Sequence, residues 1–123
     1  MMVLARRALL VIAAITVLTG AAQMVWPRVI LVAIGATPSD AGVHAFGTVG
    51  MFMLLFGGAL AQALMTVPPI RPLVGWATLQ KAGAALAVTI GVSRGVFAPV
   101  ALAVASFDGV TALLGLWYWR KIR

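Results

Sequence analysis

Lys81 and Asp108 are the residues of this sequence best suited to chemistry, because each stands inside a long apolar stretch. An ionisable group surrounded by hydrocarbon is costly, so it pairs, gives up its charge, or serves a purpose such as proton exchange. A lysine and an aspartate at similar depth can neutralise each other, and an aspartate alone can take up and release a proton. Three further polar residues belong to the same inventory. Gln62 and Gln80 are suited to bonding across helices or to lining a shallow polar cavity with Lys81, a cavity to which His44 is a further candidate. His44, at the end of its apolar run, can reach water and titrate near neutral pH, or serve only as a polar anchor.

Little else is reactive. The chain has no cysteine and one histidine, which excludes disulfides, thiolate metal sites and a bis-histidine haem within one chain. No Ser/His/Asp grouping, metal-ligand spacing or phosphate loop is present. No catalytic residue, metal or cofactor is expected.

Composition explains why two buried charges matter. Hydrophobic residues make up 63% of the 123 residues and charged residues 9%. Soluble domains carry about 25% charged residues, because their surfaces face water. The mean hydropathy of +1.13 agrees that lipid is the expected outer solvent. A net charge of +7 invites a nucleic-acid reading, but the nine Lys and Arg residues form no patch. All but Lys81 flank apolar runs, where the charges of a membrane protein belong.

Four such runs are long enough to cross about 30 Å of hydrocarbon as helices: 8–26, 43–67, 73–92 and 97–119. Residues 1–123 are thus expected to form one all-α domain, an integral membrane four-helix bundle. Arg6, Arg7, Arg71, Arg120, Lys121 and Arg123 fall at one end, and Arg28 and Arg94 at the other. The positive-inside rule then predicts a multi-pass inner-membrane protein with both termini cytoplasmic. Span one also has the outline of a signal peptide, with Thr19-Gly20-Ala21 as a cleavage site. Its apolar run continues to Trp26, which favours an uncleaved anchor. Trp26, Trp76, Trp117, Tyr118 and Trp119 lie near span ends, as interface anchors do.

The connections have their own signals. The outer loop 27–42 contains an apolar stretch, Val29 to Ile34, too short to span and expected to lie along the outer interface or to pack on the bundle mouth. Thr37-Pro38-Ser39-Asp40 fits a capping box, with Thr37 as N-cap, Pro38 at the first helical position and Asp40 at the third. Pro68-Pro69-Ile70-Arg71-Pro72 and Ser93-Arg94-Gly95 are short turns that force sequential spans to pack antiparallel.

Small residues mark the packing faces. Span two carries Gly47, Gly50, Gly57, Gly58 and Ala61, and span four Ala101, Ala105, Gly109 and Ala112. Such patterns let backbones approach within one bundle or across a homo-oligomer seam. Lys81 and Asp108 both lie on small-residue faces. At 1.5 Å per residue their α-carbons are expected to differ by about 4–5 Å in depth, which a lysine stem bridges. Helical side chains lean toward the helix N-terminus, so Lys81 can instead snorkel away from a protonated Asp108. A third possibility is a different partner for each.

Trp26-Pro27 after span one, the glycine-rich span two, Gln80-Lys81 in span three and Phe107-Asp108-Gly109 in span four resemble the small four-helix bacterial membrane proteins of the DoxX-like kind. The resemblance covers most of the chain by topology. DoxX is itself similar to a membrane subunit of a quinone-linked oxidoreductase, so the resemblance implies that role as one expectation. Members often carry an acid in the second span, whereas this chain has no glutamate and no acid there beyond Asp40.

Three functions compete. A non-catalytic accessory or assembly component, with the bilayer and another membrane protein or a second copy as partners, fits the size and packing faces. A small oligomeric proton-coupled transporter would use Asp108, with Lys81 tuning it. In size the chain is similar to small multidrug transporters, whose essential acid lies in span one, where this chain has none. An enzyme acting on a lipid or quinone is the third.

Overall fold

The computed structural model describes residues 1–123, and all of its regular structure is helical. Helix α1 spans Met2–Val25, α2 Pro27–Ala33, α3 Asp40–Met65, α4 Arg71–Ser93 and α5 Leu102–Lys121, the last preceded by a 3-10 turn over Pro99–Ala101. Helices α1, α3 and α4, and the continuous segment Pro99–Lys121, are long and apolar enough to cross a membrane. Their 23 to 26 residues give lengths of about 34–39 Å. Only 23 of 123 residues are buried, and large apolar side chains such as Leu18, Leu86 and Leu113 point outward. Such a surface matches hydrocarbon rather than water.

The helix boundaries follow from local chemistry. Pro27 has no N–H to continue α1, so the chain breaks at Trp26 and restarts with Pro27 in the first position of α2. Residues 27–33 are therefore helical rather than loop, a correction to the expected 27–42 connection. Gly35, at φ +81°, then reverses the chain. The cap of α3 also differs from expectation. Ser39, not Thr37, is the N-cap, and its Oγ accepts from the Gly42 N–H at 3.0 Å. Thr37 lies outside the helix, and Asp40 occupies the first helical position. There its carboxylate pairs with Arg28 at 3.2 Å, an exposed contact of small energetic weight.

The four long helices form two hairpins. In the first, α1 packs on α3 through glycine. A Cβ on Gly20 would lie 2.6 Å from the Gly50 carbonyl oxygen, and one on Gly50 would lie 2.7 Å from that of Gly20. Gly57 meets the Ala13 carbonyl at 3.0 Å in the same sense. In the second, α4 packs on α5, with Gly115 against Thr78, Gly75 against the Trp119 indole and Gly109 against Ala85. Gly58 has nothing within 4 Å of where a Cβ would sit, so it faces outward.

The hairpins join at two levels. Leu9, Leu60, Leu64, Val74 and Tyr118 form a common core, and all lie toward the end that carries both termini, the basic end. At the opposite end the Ala98 N–H donates to the Ile34 carbonyl at 2.8 Å, and Gly35 packs against Ala98. Between these levels the hairpins part.

Tyr118 was expected as an interface anchor, but it is 2% exposed. It sits three residues from the buried Gly115 and seven from the buried Thr111, which turns it inward. Trp119 is likewise half-buried, held against Gly75, whereas Trp26 and Trp76 are exposed as anchors would be.

Two arginines at the basic end also do more than flank. Arg6 Nε donates to the Leu64 carbonyl at 2.6 Å, and Arg71 Nε to the Trp119 carbonyl at 3.2 Å. Both acceptors lie in the last turn of a helix, where carbonyls lack intrahelical donors. Each arginine thus caps a neighbouring helix.

Gly50→Val should drive α1 and α3 apart, lowering stability by about 1–3 kcal/mol through overpacking. Gly58→Ala should leave stability unchanged or raise it by up to about 1 kcal/mol, since alanine is the better helix former. Thermal unfolding followed by circular dichroism in detergent separates the two, and equal effects would refute the hairpin contact.

Candidate functional site

Lys81 and Asp108 meet within the second hairpin, at the edge of the space between the two hairpins. Lys81 Nζ lies 3.0 Å from Asp108 Oδ1, and their side chains are 5% and 8% exposed. Helix α4 supplies the lysine and α5 the aspartate. The register of the hairpin is given by Thr78 facing Gly115 and Ala85 facing Gly109. On that register Asp108 lies level with about Leu86, so the Lys81 stem extends along roughly five residues, about 7.5 Å, toward the opposite end. This runs against the usual lean of a helical side chain toward its N-terminus. The ammonium is held inside the bundle rather than released to the basic end, so the snorkelled arrangement is not the one adopted. The Phe107 ring, centred 5.4 Å from Nζ, adds a cation–π contact.

The pair forms one wall of a cleft of about 320 Å³. Thr16 and Thr19 of α1, Met53 of α3, and Ala103, Val104 and Phe107 of α5 line the rest of it, with Ile15. Asp108 Oδ1 is the only carboxylate oxygen of this residue with a hydrogen-bond partner, and no fully buried side-chain nitrogen or oxygen lacks one. Oδ2 is therefore not fully buried, and Asp108 borders the cleft. Thr16 and Thr19 donate their hydroxyl protons to the Ile12 and Ile15 carbonyls at 2.8 and 2.7 Å, so they offer the cleft lone pairs alone. The cleft thus presents several acceptors, plus the remaining N–H groups of Lys81. That chemistry suits a proton or a small hydrogen-bond donor.

The other polar residues do not join the site. Gln62 is exposed on α3, about 200° around the helix from the buried Leu60, so it points away from Lys81. Gln80, next to Lys81 in sequence, is turned about 100° from it and does not line the cleft. His44 lies at the opposite end in a separate open depression with Asp40 and Thr48. The expected polar cavity of Gln62, Gln80, His44 and Lys81 does not form.

Two buried polar residues of α1 were not singled out from the sequence. Thr16 and Gln23 are buried, and Gln23 Nε2 donates to the Phe46 carbonyl at 2.9 Å, tying α1 to α3. Both were legible. Leu9, Ala13, Thr16, Gly20 and Gln23 recur at alternating intervals of four and three, which places them on one buried stripe.

Compared with known proteins, the chain matches no family model, no curated protein and no solved structure. Fold and site together define an all-α protein with four helices long and apolar enough to span a membrane. It is built as two hairpins that part around one buried ion pair.

Removing either partner strands a charge in apolar surroundings. Asp108→Asn or Lys81→Met alone should cost about 3–5 kcal/mol of stability. The double variant should recover most of that loss. Folded yield and melting temperature in detergent measure both, and additive losses would show that the two side chains are not coupled.

Proposed function

We propose that this chain is a multi-pass inner-membrane protein with both termini cytoplasmic, acting as a non-catalytic accessory or assembly component. One observation carries the reading: the two charges at mid-bundle depth are spent on each other, at 3.0 Å and nearly out of contact with solvent. A pair so arranged joins α4 to α5 and fixes how that hairpin presents itself to neighbours. The outward surface supports the same reading. It is apolar along the spans and carries six cations at the basic end against Arg28 and Arg94 at the other. The partners of this reading are the bilayer and a second membrane protein or copy of this chain.

A second reading has its own support. Asp108 borders the cleft with one carboxylate oxygen free of protein partners, and a carboxylate so placed can exchange a proton when Lys81 lets go of it. Under that reading the chain is a small proton-coupled carrier, with Asp108 as the exchanging group and Lys81 tuning it.

Proton flux into liposomes containing the purified protein separates the two. The accessory reading expects no flux above protein-free liposomes across pH 5–8. A flux abolished by Asp108→Asn would overturn it in favour of the carrier.

The absence of native cysteine makes orientation directly measurable. In spheroplasts, an impermeant maleimide should label Thr37→Cys at once and Arg123→Cys only after permeabilisation. The reverse pattern would invert the topology.

A further inference from the structure

A groove of about 310 Å³ runs along the outside of the second hairpin at the basic end. Pro72, Trp76 and Leu79 of α4 form one wall, at the spacing of a single helix face, and Leu116 and Trp119 of α5 form the other. The floor comes close to backbone at Gly75, where the Trp119 indole lies 2.9 Å from a would-be Cβ. Trp76 is 63% exposed and Leu79 61%, so nothing in the chain covers the groove.

Its mouth is cationic. The Arg71 guanidinium stacks 3.9 Å above the same Trp119 ring that walls the groove. Only Nε of Arg71 is bonded to protein, so its terminal nitrogens keep their donors. Arg120 follows Leu116 by four residues, which sets it one turn above that wall, and it is exposed with no protein partner. Helix α4 begins here too, and no side chain caps its first amides. No acidic side chain answers these charges, because the chain has only two: Asp40 at the opposite end and Asp108 within the bundle. An apolar slot topped by planar, bidentate donors and an uncapped helix start has the form of an anionic headgroup above an acyl chain.

We propose that this groove is a binding site for an anionic phospholipid. One acyl chain lies along Leu79 and Leu116, and the phosphate is held by Arg71 and Arg120. Trp76 stands at headgroup level beside it. Arg71 thereby has two duties, capping α5 through Nε and binding phosphate through its terminal nitrogens. The inference rests on the membrane reading above and adds a lipid class and a location to it.

Native mass spectrometry of the protein, purified in detergent with equal amounts of phosphatidylglycerol and phosphatidylcholine of the same chains, tests the site. The wild type should retain the anionic lipid in preference. Arg120→Gln, which breaks no protein contact, should lower that preference about fivefold. Leu79→Trp keeps every charge but fills the slot, and should lower total lipid retention. Arg7→Gln removes a charge at the same end but away from the groove, and should change neither. Equal losses from Arg7→Gln and Arg120→Gln would reduce the effect to diffuse charge and overturn the proposal. An unchanged Leu79→Trp would overturn it as well. Equal retention of the two lipids by the wild type would refute the headgroup site while leaving the membrane reading intact. Retention of neither would count against both.

Discussion

A helix surrounded by apolar side chains has no water to satisfy stray polar groups, so every donor must find its acceptor within the chain. This constraint explains most of the polar detail. Nine serine and threonine hydroxyls donate to carbonyls three or four residues earlier in their own helices. Gln23 reaches across to a carbonyl of α3, and two arginines close the ends of helices they do not belong to. No fully buried side-chain donor or acceptor is left over. The Lys81–Asp108 pair is the extreme case, because two full charges must be reconciled rather than two dipoles.

The same constraint shapes packing. Where the hydrophobic effect supplies no attraction between helices, close contact has to come from small residues. Gly20, Gly50 and Gly57 bring α1 and α3 together at backbone distance, and Gly75 and Gly115 admit Trp119 and Thr78 between α4 and α5. Between hairpins no such seam continues through the middle. Larger residues, Leu9, Leu60 and Val74, fill the basic half, and the remaining space is the cleft that Asp108 meets. The ion pair lies within the second hairpin and borders the space between the two.

Much of this was legible in the residues. The four long helices follow from apolar length, and the positions of Lys81 and Asp108 on small-residue faces show why they can approach. Other features escaped for physical reasons. Ser39 and Thr37 are both competent caps, and sequence alone does not choose between them; the structure sets Ser39 Oγ against the Gly42 N–H. Tyr118 has the composition of an anchor, and only its phase relative to Gly115 and Thr111 turns it inward. The groups around the site, Thr16 and Thr19, come from a helix far away in sequence. Their side chains look like ordinary helical hydroxyls until tertiary packing sets them opposite Asp108.

The reach of Arg6 has a consequence for the order of assembly. Arg6 leaves the ribosome well before its acceptor, the Leu64 carbonyl, which follows 58 residues later. With the glycine contacts between α1 and α3, this clasp can close only when the first hairpin is complete, and it can do so before α4 or α5 exists. The ion pair, by contrast, waits for Asp108 in α5, the last of the long helices to emerge. The molecule is therefore wired to mature in two stages, each ending when a late residue fastens an early one.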